Sequence, residues 1–486
     1  MLPYRYQAGR ATVWALPTQR FKAGLLSVSA AMPITRENAC LGPLMLSVLR
    51  RGTCKYPALA DVNRRLEYLW GTGLSLRTHY RGNRLVLGLS ADLLDPRFLP
   101  ARMSGLTEEV LDLMCEILGH PALDPDGLLR ASYVESEKAL QCDAIRAVKN
   151  NPRAYAVMRA DALLYEGEPR GLPLYGTEEQ TLSVTREELT AYWRRWRESL
   201  CPDCFYVGPA EPGEISGMLM AAFGAAPPAD AGLPAGDAAG EPGSPAPGQA
   251  AHKGAEAAPG PAAPGESASG EAAPGEAVTG VPASGQAAPA PRRVCETAQA
   301  EQSQLIIGLR GAPRLGEPGY YACAVAEELL GGSPISRLFT YVREKRSLCY
   351  SCSSAYASLC GTVTVSCGLS AGNRAEAEAE IFRQLDALRQ GDFTAAELDA
   401  ARKSLLLAYR QTEDSPAGLE SYYHTRALAG CPATLRECRE ALAAVTAGEV
   451  MQAAARLRPA LVYFLEGTRT GGAGEEGADD DDDADL

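Results

Sequence analysis

Gly332-Ser333-Pro334-Ile335-Ser336-Arg337-Leu338-Phe339-Thr340-Tyr341-Val342-Arg343-Glu344-Lys345-Arg346-Ser347-Leu348-Cys349-Tyr350-Ser351 runs from the end of one predicted helix, through a second, and into a strand. The strand, Cys349 to Tyr356, is followed by another, Thr362 to Leu369, so the two form a pair. Long helices come next, one of them opened by Thr394 with Glu397 three residues on, the pattern in which each side chain bonds the other's backbone N–H. Val445-Thr446-Ala447-Gly448-Glu449-Val450 then caps a last helix, and Leu461 to Leu465 is the strand after it.

The same order occurs earlier in the chain. Leu74 to Tyr80 and Leu85 to Ser90 make a strand pair ahead of helices. Val184-Thr185-Arg186-Glu187-Glu188-Leu189 carries the cap signals, and Phe205 to Val207 is the strand that follows. Two runs of strands and helices in one order indicate a duplicated α+β unit: two similar domains, each a mostly antiparallel sheet with helices packed on one face. The expected boundaries are 1–224 for the first domain and 293–470 for the second. Residues 225–292 are an Ala/Gly/Pro-rich linker with almost no large apolar side chain to offset the entropy of ordering. Residues 471–486 are an acidic tail of the same character.

A net charge of -13 argues against nucleic acid or an anionic membrane surface as partner, since either needs a basic face. No run of apolar residues is long enough for a signal peptide or a membrane span. Fourteen cysteines scattered through apolar segments fit a reducing compartment, so a cytoplasmic protein is expected. Of the two C-x-x-C pairs, Cys201/Cys204 flanks a strand and Cys349/Cys352 lies in one. Residues three apart in a strand point to opposite faces, which argues against a shared zinc site.

The quoted stretch resembles the second-domain motif of the insulinase (pitrilysin-type) zinc metallopeptidases. In that motif an Arg is followed seven residues later by a Tyr inside R-E-K-R-G-L-x-Y; here they are Arg343 and Tyr350, with Ser347 in place of the Gly. Arg51-Gly52-Thr53 and Leu66-Glu67-Tyr68-Leu69-Trp70-Gly71 resemble the stretch after the family's zinc helix. Asn151-Pro152, Leu172-Pro173 and Tyr175-Gly176-Thr177 follow in the expected order.

The family holds zinc through H-x-x-E-H on a helix, where i, i+4 spacing puts both imidazoles on one face and the Glu activates the bound water. Counted back from Arg51-Gly52-Thr53, these positions are Pro43, Leu46 and Ser47, none of them a normal ligand or base. The third ligand, a Glu on a later helix, falls at Ala144, beside Asp143. No two of the four histidines have the spacing of a ligand pair. The helix around Leu44 to Leu49 reads instead as a buried packing element, with Pro43 expected in its first turn, where a missing N–H costs little.

The resemblance therefore implies a bacterial two-domain member without metal or other cofactor and not active alone: a metallopeptidase homologue lacking zinc ligands. In the family, Arg and Tyr of the second-domain motif stabilise the tetrahedral intermediate, and some bacterial subunit pairs divide the labour. The implied role is a non-catalytic, peptide-processing subunit in a heterodimer with a zinc-bearing partner, Arg343 and Tyr350 acting in trans on a peptide substrate. The alternative is a peptide-binding or scaffold protein with no part in hydrolysis. The layout also resembles the inactive branch associated by name with aminopentanol modification of elongation factor P.

Overall fold

The structure is a computed structural model that describes residues 2–99, 105–223 and 290–468. Apart from residues 290–292, the expected linker lies outside the described residues, as does the acidic tail. The first half builds a six-stranded sheet in the order β1 (Tyr4–Ala8), β2 (Ala11–Pro17), β6 (Asp203–Gly208), β3 (Ala23–Pro33), β5 (Arg84–Leu94), β4 (Leu74–Arg81). The second half builds a five-stranded sheet in the order β7 (Arg292–Ala298), β11 (Arg458–Gly467), β8 (Ser303–Arg310), β10 (Thr362–Leu369), β9 (Ser351–Ala357). Without β1 the first order matches the second strand for strand. In each sheet a single pair is parallel, β2 with β6 and β7 with β11, and the rest are antiparallel. The duplication read from the sequence is thus present in the topology.

The helices of the first half are α1 (Arg36–Arg50), α2 (Leu59–Tyr68), α3 (Leu106–Gly119), α4 (Ala131–Ala147), α5 (Pro152–Leu164), α6 (Glu178–Ser183), α7 (Arg186–Ser199) and α8 (Pro212–Phe223). Those of the second are α9 (Tyr320–Glu327), α10 (Arg374–Gln390), α11 (Ala395–Gln411), α12 (Pro416–Leu428), α13 (Leu435–Ala444) and α14 (Ala447–Arg456). The Thr394/Glu397 and Thr446/Glu449 caps form as reciprocal boxes at α11 and α14. At α7 the Thr185 hydroxyl accepts from the Glu188 backbone N–H.

Each sheet lays one face on the helices of its own half. Its far face receives one helix from the other half. Along β8, Leu305, Ile307 and Leu309 join the core under the second half's own helices, whereas Ile306 joins Ala156, Ala160 and Leu164 of α5. Reciprocally, Leu419 and Tyr423 of α12 pack on Phe205 and Val207 of β6. A strand covered on both sides reads as an unbroken apolar run, as Leu305-Ile306-Ile307 does. The exchange puts both halves in one compact unit.

Polar contacts seal the exchange. The α12 carboxylate Glu420, 1 % exposed in its side chain, accepts from Arg77 Nη2 of β4 at 2.9 Å and lies 3.3 Å from His424 Nδ1. Arg81 donates to Thr425 Oγ1 at 2.8 Å, and Arg159 of α5 pairs with Glu296 of β7 at 2.6 Å. Removing one partner from the buried Arg77–Glu420 pair costs about 3–5 kcal/mol, because the other charge is left stranded.

Candidate functional site

Helix α1 starts at Thr35, whose hydroxyl accepts from the Asn38 N–H, so Pro43 falls in its middle. This corrects the expected first-turn placement. A mid-helix proline forfeits a hydrogen bond and crowds the carbonyl four residues back; dense burial on both sides of Pro43 holds the helix together. Leu44, Met45, Leu46 and Leu49 are completely buried, and fully burying such side chains is worth about 1.5–3 kcal/mol each. Pro43 and Leu46 lie in this packed interior, and Ser47 is half-buried. Ala144 is exposed on α4, in the wall of a cleft. Neither a carboxylate nor an imidazole stands at any of the four positions.

Helix α4 is tied to α1 at two points. Arg51 forms an ion pair with Glu137 and donates to Ser136 Oγ at 2.6 Å. Gln141 Nε2 donates to the carbonyls of Cys40 (3.2 Å) and Tyr175 (3.1 Å). The two helices are therefore held together while the ligand positions carry no metal-binding side chain. Beside it the cleft, about 1060 Å³, runs past Ala144, Arg153, Tyr155, Met158 and Tyr175. Tyr175 has φ +77, a left-handed conformation that costs a non-glycine residue on the order of 1–3 kcal/mol.

Arg343 and Tyr350 together line a second, smaller depression of about 480 Å³, with Glu344, Ser347, Cys349 and Ser370. The helical segment Leu338–Lys345 is wound in wide, π-type turns, a form found often at functional sites. Three arginines in and around it differ sharply. Arg337 is 6 % exposed in its side chain and donates to Gln384 Oε1 at 2.9 Å, with Glu397 at 3.3 Å. Arg346 pairs with Glu376 and Glu380, each at 2.6 Å. Arg343, between them, is 43 % exposed, lies over the Phe339 ring and, among the described residues, has Glu344 as its one ion-pair contact, at 3.9 Å. The two flanking arginines anchor the segment to α10 and α11, leaving the Arg343 guanidinium facing the depression.

Tyr350 is 57 % exposed, and its hydroxyl lies 3.0 Å from Ser370 Oγ. The Tyr350 N–H donates to the Gly368 carbonyl at 2.8 Å, fixing the bend ahead of β9. Ser347 has φ +49 at the position where the resembling motif has Gly. The structure thus brings Arg343 and Tyr350 into one cavity and puts Ala144 in another. Arg153, in the wall of the larger cleft, reaches Ser353 Oγ at 3.2 Å, three residues beyond Tyr350.

Strand β9 begins at Ser351, later than the expected Cys349. Cys349 consequently lies on the bend, outside the two-residue period, and its sulfur meets those of Cys352 and Cys367 within 4.8 Å. This corrects the expectation that residues 349 and 352 face apart. Cys352 and Cys367 are directly opposite each other in the β9–β10 register. Hydrogen bonding from Cys352 and Cys367, with Arg343 nearby, pulls the Cys349 thiol well below its ordinary range. The same sharing pushes Cys352 up. Sequence reasoning missed this trio because Cys367 joins it only through strand pairing. Cys201 and Cys204 lie apart from it, in the first half.

Residues 183–405 match the family model described as Peptidase M16 inactive domain. Over this stretch the chain is similar to the M16, or insulinase-type, peptidases. It is 23 % identical over 460 residues to the Probable inactive metalloprotease YmfF of Bacillus subtilis (strain 168), covering 95 % of this chain and 96 % of that one. Among solved structures, a conserved protein from Enterococcus faecalis V583 superposes with TM-score 0.77 at 21 % identity, over 96 % of this chain and 99 % of that one. The peptidase M16 inactive domain from Pseudomonas fluorescens does so with TM-score 0.71 at 17 % identity, over 96 % and 99 %. These two likenesses concern the fold. The described residues form two similar units, each a mostly antiparallel sheet packed with helices, as in these neighbours. Among the described residues no helix is long and apolar enough to cross a membrane.

Proposed function

We propose that this M16 homologue is the non-catalytic subunit of a cytoplasmic, peptide-processing heterodimer whose other subunit carries zinc, and that Arg343 and Tyr350 complete the active site in trans. The observation that carries the reading is the contrast among the three arginines: Arg337 and Arg346 are held by carboxylates or an amide, while Arg343 faces a cavity beside an exposed tyrosine hydroxyl. Two such donors suit a developing oxyanion, where preorganised hydrogen-bond donors act with no reorganisation during reaction. The partner would supply metal and base, which Pro43, Leu46, Ser47 and Ala144 do not. The test is reconstitution. A zinc-bearing M16 relative from the same organism, mixed with this chain, is expected to hydrolyse peptides that neither hydrolyses alone. A complex that forms and adds nothing to the relative's own turnover would exclude the shared site.

A second reading, a peptide-binding protein with no part in hydrolysis, is favoured by the larger cleft. Its Tyr155, Met158 and strained Tyr175 offer an apolar wall with Arg153 and Arg159 at hand. On that reading, peptide affinity falls on replacing Tyr175 and is indifferent to Tyr350.

A further inference from the structure

The three thiols beside the Arg343 depression are not used by either reading. Among the described residues, only this group brings three potential metal-ligand atoms together, each sulfur within 4.8 Å of the other two. We propose that Cys349, Cys352 and Cys367 form a site for a divalent, thiophilic ion of the zinc type, bound by three thiolates and open on its fourth side toward the depression.

The geometry is close to what such an ion needs. With Zn–S bonds of about 2.3 Å and tetrahedral angles, ligating sulfurs sit about 3.8 Å apart, so a small contraction of the trio completes the site. The backbone already sets the three directions. Cys352 and Cys367 are held opposite each other by the β9–β10 ladder. Cys349 is delivered from the bend, which is pinned on one side by the Tyr350 N–H to the Gly368 carbonyl at 2.8 Å. On the other side Asn373 Nδ2 donates to the Leu348 carbonyl at 3.0 Å. Cys352 and Cys367 are buried, whereas Cys349 is partly exposed and lines the depression, so the open coordination position faces a cavity.

Charge favours a divalent ion. Three thiolates and one M²⁺ carry a net charge of -1, and the Arg343 guanidinium in the wall of the same depression balances it. Binding requires no redox step: thiols that are still protonated release their protons to solvent as the sulfurs coordinate. Buried cysteines often serve as small apolar filler. Convergence of three on one point, one of them opening to solvent, is not needed for that purpose. The ligands are the thiols alone, and the site is independent of any role for Arg343 and Tyr350 in hydrolysis. It revises the expectation of a chain without metal, and differs from the family's zinc site, whose positions lie in the first half.

The experiment uses the full chain, reduced and stripped with chelator, then titrated with Zn(II) alone and, separately, with Co(II). One zinc per chain is expected after desalting, together with thiolate-to-cobalt charge-transfer absorption. Cys349→Ser, at the partly exposed bend, should lose both signals with its circular dichroism unchanged. Cys201→Ser and Asp143→Asn should keep both. The proposal is overturned if the reduced chain takes up no ion, if Cys349→Ser binds zinc as tightly as the native chain, or if the ion is lost with Asp143 instead.

Discussion

Ten of the fifteen residues of α1 are buried, against two of the eight in the Leu338–Lys345 segment, the two segments onto which the sequence resemblance maps the zinc helix and the motif arginine. In α1 every residue from Ala39 to Leu49 except Ser47 is buried, and none of them is a carboxylate or an imidazole. In the second-half segment only Leu338 and Val342 anchor the turn, and the remaining side chains meet carboxylates, rings or solvent. Packing of Pro43 and Leu46 into the core keeps this helix folded with no ligand side chain on it. In the second segment the backbone is held by neighbours, Arg337 and Arg346, which leaves the Arg343 side chain in the wall of the depression.

The largest effect expected from this contrast is on stability. Leu46→Glu puts a carboxylate where a fully buried leucine stood, and an uncompensated buried charge costs about 3–5 kcal/mol. The midpoint of urea unfolding should fall accordingly, while Arg343→Ala should move it by less than about 0.5 kcal/mol, as for an exposed residue. Equal shifts in the two variants would break the comparison.

A second test bears on the contact between halves that keeps both regions in one body. Burial, with Arg81 and Arg77 close by, lowers the His79 pKa from 6.5 to about 4. The unfolded chain therefore binds a proton in that window that the folded chain refuses, so stability is full above pH 6.5 and declines as pH falls toward 4. Glu420 acts in the same direction: burial alone would raise its pKa, but His424, Arg77 and Arg81 outweigh it and hold the carboxyl below its ordinary value. Its contribution is present above the unfolded carboxylate pKa and is lost as pH falls through the folded one. His79→Gln should flatten the pH 4–6.5 part of a thermal-denaturation profile; an unchanged slope would place the pH sensitivity elsewhere.

The smallest expected effect sharpens the account of the second region. Ser347→Gly removes a left-handed strain of about 1–2 kcal/mol but adds freedom to the unfolded chain. A gain of about 0.5–1 kcal/mol in unfolding free energy is expected. Destabilisation would mean that the bend before β9 is held by the serine side chain.

The strand pairs and helix caps were legible because their signals are local: a two-residue period, or a threonine with a glutamate three positions on. The quoted stretch likewise showed where Arg343 and Tyr350 stand in sequence. Three features were not legible, each for a physical reason. Pro43 sits mid-helix because tertiary packing overrides a local preference. The α5 and α12 exchange is a pairing of distant segments, and its one trace was the unbroken apolar run in β8. The thiol trio depends on a bend at Cys349 and on the β9–β10 register, neither of which appears in the spacing of the cysteines.

On the proposed function, the second region is chemically competent and the first is not. The measurement that tests it most directly is turnover of the mixed complex with Tyr350→Phe and, separately, Arg343→Ala, with assembly confirmed by size-exclusion chromatography. Loss of one oxyanion donor typically costs on the order of 100-fold to 1,000-fold in turnover, and each variant is predicted to show a loss of that size with the complex intact. Unchanged turnover in both variants, in an assembled complex, would contradict the account.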